Sequence, residues 1–115
     1  MIWAIELEPE VERWLDGLPP RHFGAVAFHI DRLATQGSSL RMPTSRSLDG
    51  GPFELRFDLD RQAWRITYYF ATGRRIVLLT VFRKQRMTER HEISRTRDAR
   101  ARCIAEGHTA EEDDR

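Results

Sequence analysis

The chain has 115 residues, 40% of them hydrophobic, and its 19 basic and 18 acidic side chains leave a formal charge of +1. That length and apolar content suit one small domain with a single core. One cysteine, Cys103, excludes an internal disulfide, no Cys/His spacing resembles a zinc site, and no apolar run approaches membrane-spanning length. A reduced, cytoplasmic protein without a signal peptide or membrane segment is expected.

Ile2-Trp3-Ala4-Ile5 reads as a first strand. Pro9 suits a first helical turn, and Val11, Trp14, Leu15 and Leu18 recur at helical spacing until Pro19-Pro20 stops them. From Arg21 a second helix places Phe23, Ala27, Ile30 and Ala34 on one stripe, with Leu33 beside it and Gly37 as its C-terminal stop. The two helices are expected to pair as a hairpin over one face of a sheet. His22 and His29 fall on the second helix without ligand-spaced partners, and no chemistry is assigned to them. Ser38 to Pro52 reads as a loop ending in Asp49-Gly50-Gly51, whose Arg41 and Arg46 either steer a polyanion or simply keep the loop soluble.

Three consecutive strands follow. Phe53, Leu55 and Phe57 alternate with Glu54, Arg56 and Asp58, and Trp64, Ile66, Tyr68 and Phe70 alternate with Arg65, Thr67 and Tyr69. This is the period of half-buried strands. The third run, Ile76 to Phe82, is apolar on both faces and suits a central strand. Turns at Asp60-Arg61 and Thr72-Gly73 with even loop lengths set Phe57 opposite Trp64, Leu55 opposite Ile66, Phe53 opposite Tyr68 and Arg56 opposite Arg65. Across the second turn Arg65 is expected to face Thr80, with Lys84 on the same face. Like charges directly opposed in a sheet cost about 0.2–1 kcal/mol, so this pair points to a site for an anion. Separation of the two arginines by Glu54, Asp58 or a covering helix is the alternative.

Thr88 is a plausible N-cap for a third helix ending at Gly107, with Glu89 and Glu92 in its first turn. Its apolar positions are Ile93, Ala99, Cys103 and Ile104, a stripe too thin to anchor it without tertiary context or a partner. From Arg83 to Arg102 eight basic residues stand against three acidic ones, a pattern that commonly contacts phosphate, with a solvated helix face as the alternative. The domain is expected to span residues 1–107, and residues 108–115, with Glu111-Glu112-Asp113-Asp114, to form a disordered acidic tail.

The resulting α+β order, strand, helix, helix, strand, strand, strand, helix, resembles the RelE/ParE toxin superfamily, and within it the HigB-like, phage-derived branch. The residues that carry the resemblance are Leu48 to Arg56, Ala63 to Tyr68 and Leu79 to Lys84, together with the strand and helical hairpin at the start. The resemblance implies a small, mainly antiparallel sheet with the N-terminal hairpin on one face and a C-terminal helix. It further implies a toxin of a toxin–antitoxin pair that cleaves messenger RNA in the ribosomal A site without metal or other cofactor. In that chemistry the ribose 2′-hydroxyl attacks the adjacent phosphate and leaves a cyclic phosphate and a free 5′-hydroxyl. The expected partners are a cognate helix-turn-helix antitoxin and messenger RNA, with the antitoxin covering the basic face or holding the third helix.

Position by position, Arg65 matches the arginine that holds the scissile phosphate, Arg56 a basic position on the preceding strand, and Lys84 the basic position ending the last strand, with Arg83 as its neighbour on the other face. Arg86 and Arg46 join them as RNA contacts. His91 lies where relatives place a C-terminal tyrosine or histidine and is the candidate acid or base. Glu54 stands where one branch has lysine, which makes it a second candidate for proton transfer. Tyr69 shares the Arg65 face and is a candidate for stacking a base. A ParE-like gyrase inhibitor and a decayed toxin that only binds its antitoxin are the alternative functions on the same scaffold.

Overall fold

The computed structural model describes residues 2–48, 51–85 and 89–107. Asp49-Gly50, Arg86, the Thr88 cap and the acidic tail after Gly107 lie outside them. The elements are β1 (Ala4–Leu7), α1 (Pro9–Asp16), α2 (Pro20–Gln36), a 3-10 turn (Gly37–Ser39), β2 (Ser45–Ser47), β3 (Phe53–Leu59), β4 (Gln62–Ala71), β5 (Arg75–Arg83) and α3 (Glu89–Glu106). They form an α+β fold around one five-stranded sheet of order β1-β5-β4-β3-β2, antiparallel except where β1 runs parallel to β5.

Strand β2 was not expected. It is three residues long, Ser-Arg-Ser, without apolar alternation, and it forms because β3 offers an edge: Ser45 pairs with Leu55, Arg46 with Glu54 and Ser47 with Phe53. The buried Ser45 hydroxyl bonds the Tyr68 phenol, which ties the loop to the core.

The β3–β4 register agrees with the alternation, down to Arg56 opposite Arg65. Asp60 and Arg61 both adopt positive φ, 47° and 68°, as a two-residue turn matched to strand twist demands. Neither is glycine. The Asp60 carboxylate is held from α2 by His22 Nε2 at 2.9 Å and by Arg21, which ties the turn to the helix.

The β4–β5 register differs from the expectation. Arg65 faces Phe82, and Thr80 faces Thr67. Two features cause this: the turn has three residues, Thr72 to Arg74, and the register slips between Thr67 and Tyr68, where Leu79 is the extra residue of a β-bulge. The bulge turns both Leu79 and Thr80 toward α3.

The core lies between the sheet and the hairpin. Val11 and Leu15 of α1 and Val26 and Leu33 of α2 bury against Leu55, Phe57, Ile66, Tyr68, Ile76 and Leu78, with Trp14 and Trp64 packed in a tilted pair at 5.1 Å. The buried stripe of α2 is rotated from the expected one. Val26, Ile30 and Leu33 face inward, whereas Phe23 is 46% exposed.

Helix α3 covers the opposite face of β4 and β5 through a short apolar strip, Ala99 and Cys103 against Tyr69, Val77 and Leu79. Hydroxyls supply the rest: Thr96 Oγ1 reaches both Thr80 Oγ1 at 3.2 Å and Thr67 Oγ1 at 3.3 Å, and all three residues are buried. Beyond the end of β1, the edge of β5 is met by side chains. Glu10 Oε2 accepts the Val81 N–H at 2.9 Å, Arg95 donates to the Val81 carbonyl at 3.4 Å, and Glu10 and Arg95 also pair with each other. The thin stripe of α3 is thus supplemented by polar contacts that hydropathy does not reveal.

Candidate functional site

The face of the sheet opposite the hairpin is a grid set by register. Across β3, β4 and β5 run the rows Glu54–Thr67–Thr80 and Arg56–Arg65–Phe82, then Asp58–Ala63 with Lys84 continuing beyond β5, where its N–H bonds the Ala63 carbonyl at 2.7 Å. Helix α3 covers Thr67 and Thr80 of the first row. The second row borders an open cleft of about 400 Å³ lined by His29, Pro43, Thr44, Arg56, Phe57, Asp58 and Arg65.

Arg65 is 5% exposed. Its Nη1 donates to the Trp64 carbonyl at 2.9 Å, and its Nε lies 3.7 Å from Glu54 Oε1. Burial first, and then the Arg56 guanidinium opposite, lower its pKa from the ordinary arginine value. Arg56 is half-buried at the cleft, with Nη1 3.4 Å from the Met42 sulfur and its own N–H bonded to the Thr44 carbonyl at 2.7 Å. An anion entering here would relieve the repulsion between the two guanidinium groups and meet donors whose geometry is already set.

Glu54 is buried and belongs to the scaffold of this pair. Its Oε1 lies 3.0 Å from Arg46 Nε and 3.7 Å from Arg65 Nε, so one carboxylate bridges two guanidiniums and orients Arg65. The register that opposes Arg56 to Arg65 is therefore observed, with Glu54 neutralising one flank of Arg65 and leaving the Arg56 side open.

The other candidates are dispersed. Lys84 keeps the parity of the Arg65 face and sits diagonal to Arg65, but it is exposed and does not line the cleft. Arg83 pairs with Trp64 and so points toward the other face. His91 is exposed on the first turn of α3 and does not border the cleft. Arg86 lies outside the described residues. Tyr69 corrects the expectation of an open stacking platform: it is 6% exposed beneath α3, its hydroxyl lies 3.4 Å from Cys103 Sγ, and the Arg100 guanidinium covers its ring at 5.3 Å. A docked helix decides this point, and strand parity cannot reveal it.

The cleft also contains a residue to which the sequence assigned no chemistry. His29 projects from α2 and stacks on Phe57 with ring centroids 5.6 Å apart. Its signal is tertiary, since helix and cleft meet only in the fold.

Under α3, burial pushes the Cys103 thiol up to about 11. Cys103 is therefore expected to resist a thiol-specific chromogenic reagent at pH 8 in the native protein and to react only on unfolding. Rapid native labelling would show that α3 is undocked. Because the folded-state pKa lies above the ordinary 9.0, this thiol also lowers stability as the pH rises past 9, where the unfolded chain ionises first.

Comparison with known proteins places this geometry in a family. The model of the family described as phage-derived protein Gp49-like matches residues 13–102. No curated protein matches the chain. Among solved structures, a chain of the RelBE2 toxin–antitoxin complex from Mycobacterium tuberculosis is 21% identical with a TM-score of 0.55, covering 73% of this chain and 100% of that one. A double mutant of the E. coli toxin RelE in the free state is 10% identical with a TM-score of 0.58, covering 82% and 92%. The isolated E. coli RelE toxin is 11% identical with a TM-score of 0.56, covering 83% and 97%. No described helix is long and apolar enough to cross a membrane. With most of its length inside the family match and its sheet and helices superposing on RelE, the chain belongs to the phage-derived Gp49-like family and has the RelE toxin fold.

Proposed function

We propose that this chain is the toxin of a type II toxin–antitoxin pair and, as in the HigB-like branch, cleaves messenger RNA on the ribosome. The observation that carries the reading is the Arg56–Arg65 pair at an open cleft, held opposed by register although like charges repel. Attack of a ribose 2′-oxygen on the neighbouring phosphorus forms one P–O bond and breaks the bond to the 5′-oxygen. The 2′-hydroxyl proton leaves, and a proton is delivered to the departing oxygen. The pentavalent phosphorane between these events carries more negative charge than the starting diester, and Arg65 with Arg56 is placed to stabilise that increment without a metal. His91, at the start of α3, is proposed as the group that takes the 2′-hydroxyl proton and returns one to the departing 5′-oxygen, and Lys84, beside the cleft's row, as a further cation, with Arg83, Arg86 and Arg46 supplying further attraction for RNA. The solved relatives include RelBE complexes, which supports an antitoxin as the protein partner.

The test is purified protein added to ribosomes programmed with a defined messenger RNA. Cleavage at the A-site codon, with a 5′-hydroxyl on the downstream product and persistence in EDTA, is the expected result. Intact RNA with inhibited DNA supercoiling would select the gyrase reading instead, and no effect in either assay would mark a non-catalytic antitoxin binder.

A further inference from the structure

His29 lines the same cleft as Arg56, Asp58 and Arg65, and no role has been given to it. Its ring is fixed from two sides. It stacks on Phe57 with planes 26° apart and meets Phe28 edge-on at 5.5 Å. Its Nδ1 is buried with no hydrogen-bond partner among the described residues, and Nε2 does not share that condition of being both buried and unpartnered. Burial first, and then Arg32 one turn along α2, lower its pKa below the ordinary 6.5, against a smaller opposing pull from Asp58. The cleft's other charged groups, Arg56 and Arg65, are cationic and offer an imidazolium no support.

The tautomer follows from these contacts. Protonating both nitrogens would place an N–H at the buried Nδ1 with nothing to accept it, which costs the ring the desolvation of that donor. The neutral ring with its hydrogen on Nε2 strands no donor at Nδ1, and as a lining residue of the cleft His29 then has Nε2–H as its donor. From this geometry we infer that His29 is a further RNA-binding residue, which donates Nε2–H to an oxygen of the strand beside Arg56 and Arg65 and moves no proton in the reaction. The inference rests on the reading of the cleft as an RNA site.

Two variants separate this role from a structural one and from acid–base catalysis. His29→Gln sets an amide N–H near the position of Nε2 and does not titrate. His29→Phe keeps the ring on Phe57 and removes the donor. Binding of a short single-stranded oligoribonucleotide is measured by fluorescence anisotropy, cleavage on programmed ribosomes is followed from pH 5.5 to 8.5, and a thermal melt confirms that each variant is folded. His29→Gln is expected to bind within about twofold of wild type with the same pH profile, and His29→Phe to bind up to about tenfold more weakly, with the loss in KM and not in kcat. Loss of a limb of the pH profile in His29→Gln would overturn the inference in favour of proton transfer. Wild-type binding and cleavage by a folded His29→Phe would overturn it outright while leaving the RNA reading intact. If wild type itself binds no RNA, both fall together.

Discussion

Replacing Arg65 with alanine is expected to abolish growth inhibition and to slow RNA cleavage by about 100- to 1,000-fold, the range for removing one preorganised donor from a developing oxyanion. The fold should survive. Although Arg65 is 5% exposed, its carboxylate neighbour Glu54 retains Arg46 at 3.0 Å, so no buried charge is stranded, and Arg56 loses the like charge opposite it. Arg65→Lys restores the charge but not the planar fork that also donates to the Trp64 carbonyl, and it is expected to recover only part of the activity. The measurements are growth after induction, cleavage rate on programmed ribosomes, and a melting curve for each variant. A fully toxic Arg65→Ala would remove the residue from the mechanism.

The largest expected loss of stability comes from Gly37, at the end of α2. Its backbone, at φ 52° and ψ −128°, lies in a region that side chains strongly disfavour. Space is equally restrictive: a Cβ there would lie within 2.2 Å of the Trp3 indole nitrogen. Trp3 has little freedom to retreat. Its backbone N–H bonds the Ala34 carbonyl at 2.9 Å, its ring packs on Phe70 at 5.0 Å, and the Arg74 guanidinium covers the ring at 4.6 Å. Backbone strain and overpacking each cost about 1–3 kcal/mol, so Gly37→Ala should lose about 2–6 kcal/mol and lower Tm by roughly 10 °C or more. A shift under about 2 °C would mean that the Trp3–Gly37 contact is not tight in solution. Since Trp3 and Gly37 do not line the cleft, the folded fraction of this variant should retain RNA cleavage.

How much of this was legible depended on whether the deciding interaction is local. The β3–β4 pairing was, because strict alternation and a two-residue turn leave one register that buries Leu55, Ile66 and Tyr68, and that register alone opposes Arg56 to Arg65. The β4–β5 pairing was not. A three-residue turn and the bulge at Leu79 shift it without altering the apolar run from Ile76 to Phe82. The α2 stripe was placed one position off because Phe23 and Val26 compete for the inward direction, and the sheet selects Val26.

The candidate site divides in the same way. Arg56 and Arg65 converge, as strand parity requires. Tyr69 shares their parity and is nevertheless covered, because α3 docks through Thr96, Ala99 and Cys103, residues too small or too polar to form a recognisable apolar stripe. Glu54 reads as a free carboxylate in the sequence; the short strand β2 brings Arg46 to it and makes it a spacer between cations. His29 reaches the cleft only because α2 crosses β3 at Phe57. Each of these depends on a contact between elements distant in the chain, which periodicity does not encode.

The central claim, that the Arg56–Arg65 cleft cuts translated messenger RNA, is tested most directly by mapping 5′ ends across cellular messenger RNA after inducing wild type or Arg65→Ala at matched protein levels. The expected result is a set of new 5′-hydroxyl ends in phase with the reading frame in wild type and their loss in Arg65→Ala. Growth arrest by wild type with no new in-frame ends, or the same ends in both strains, would contradict it.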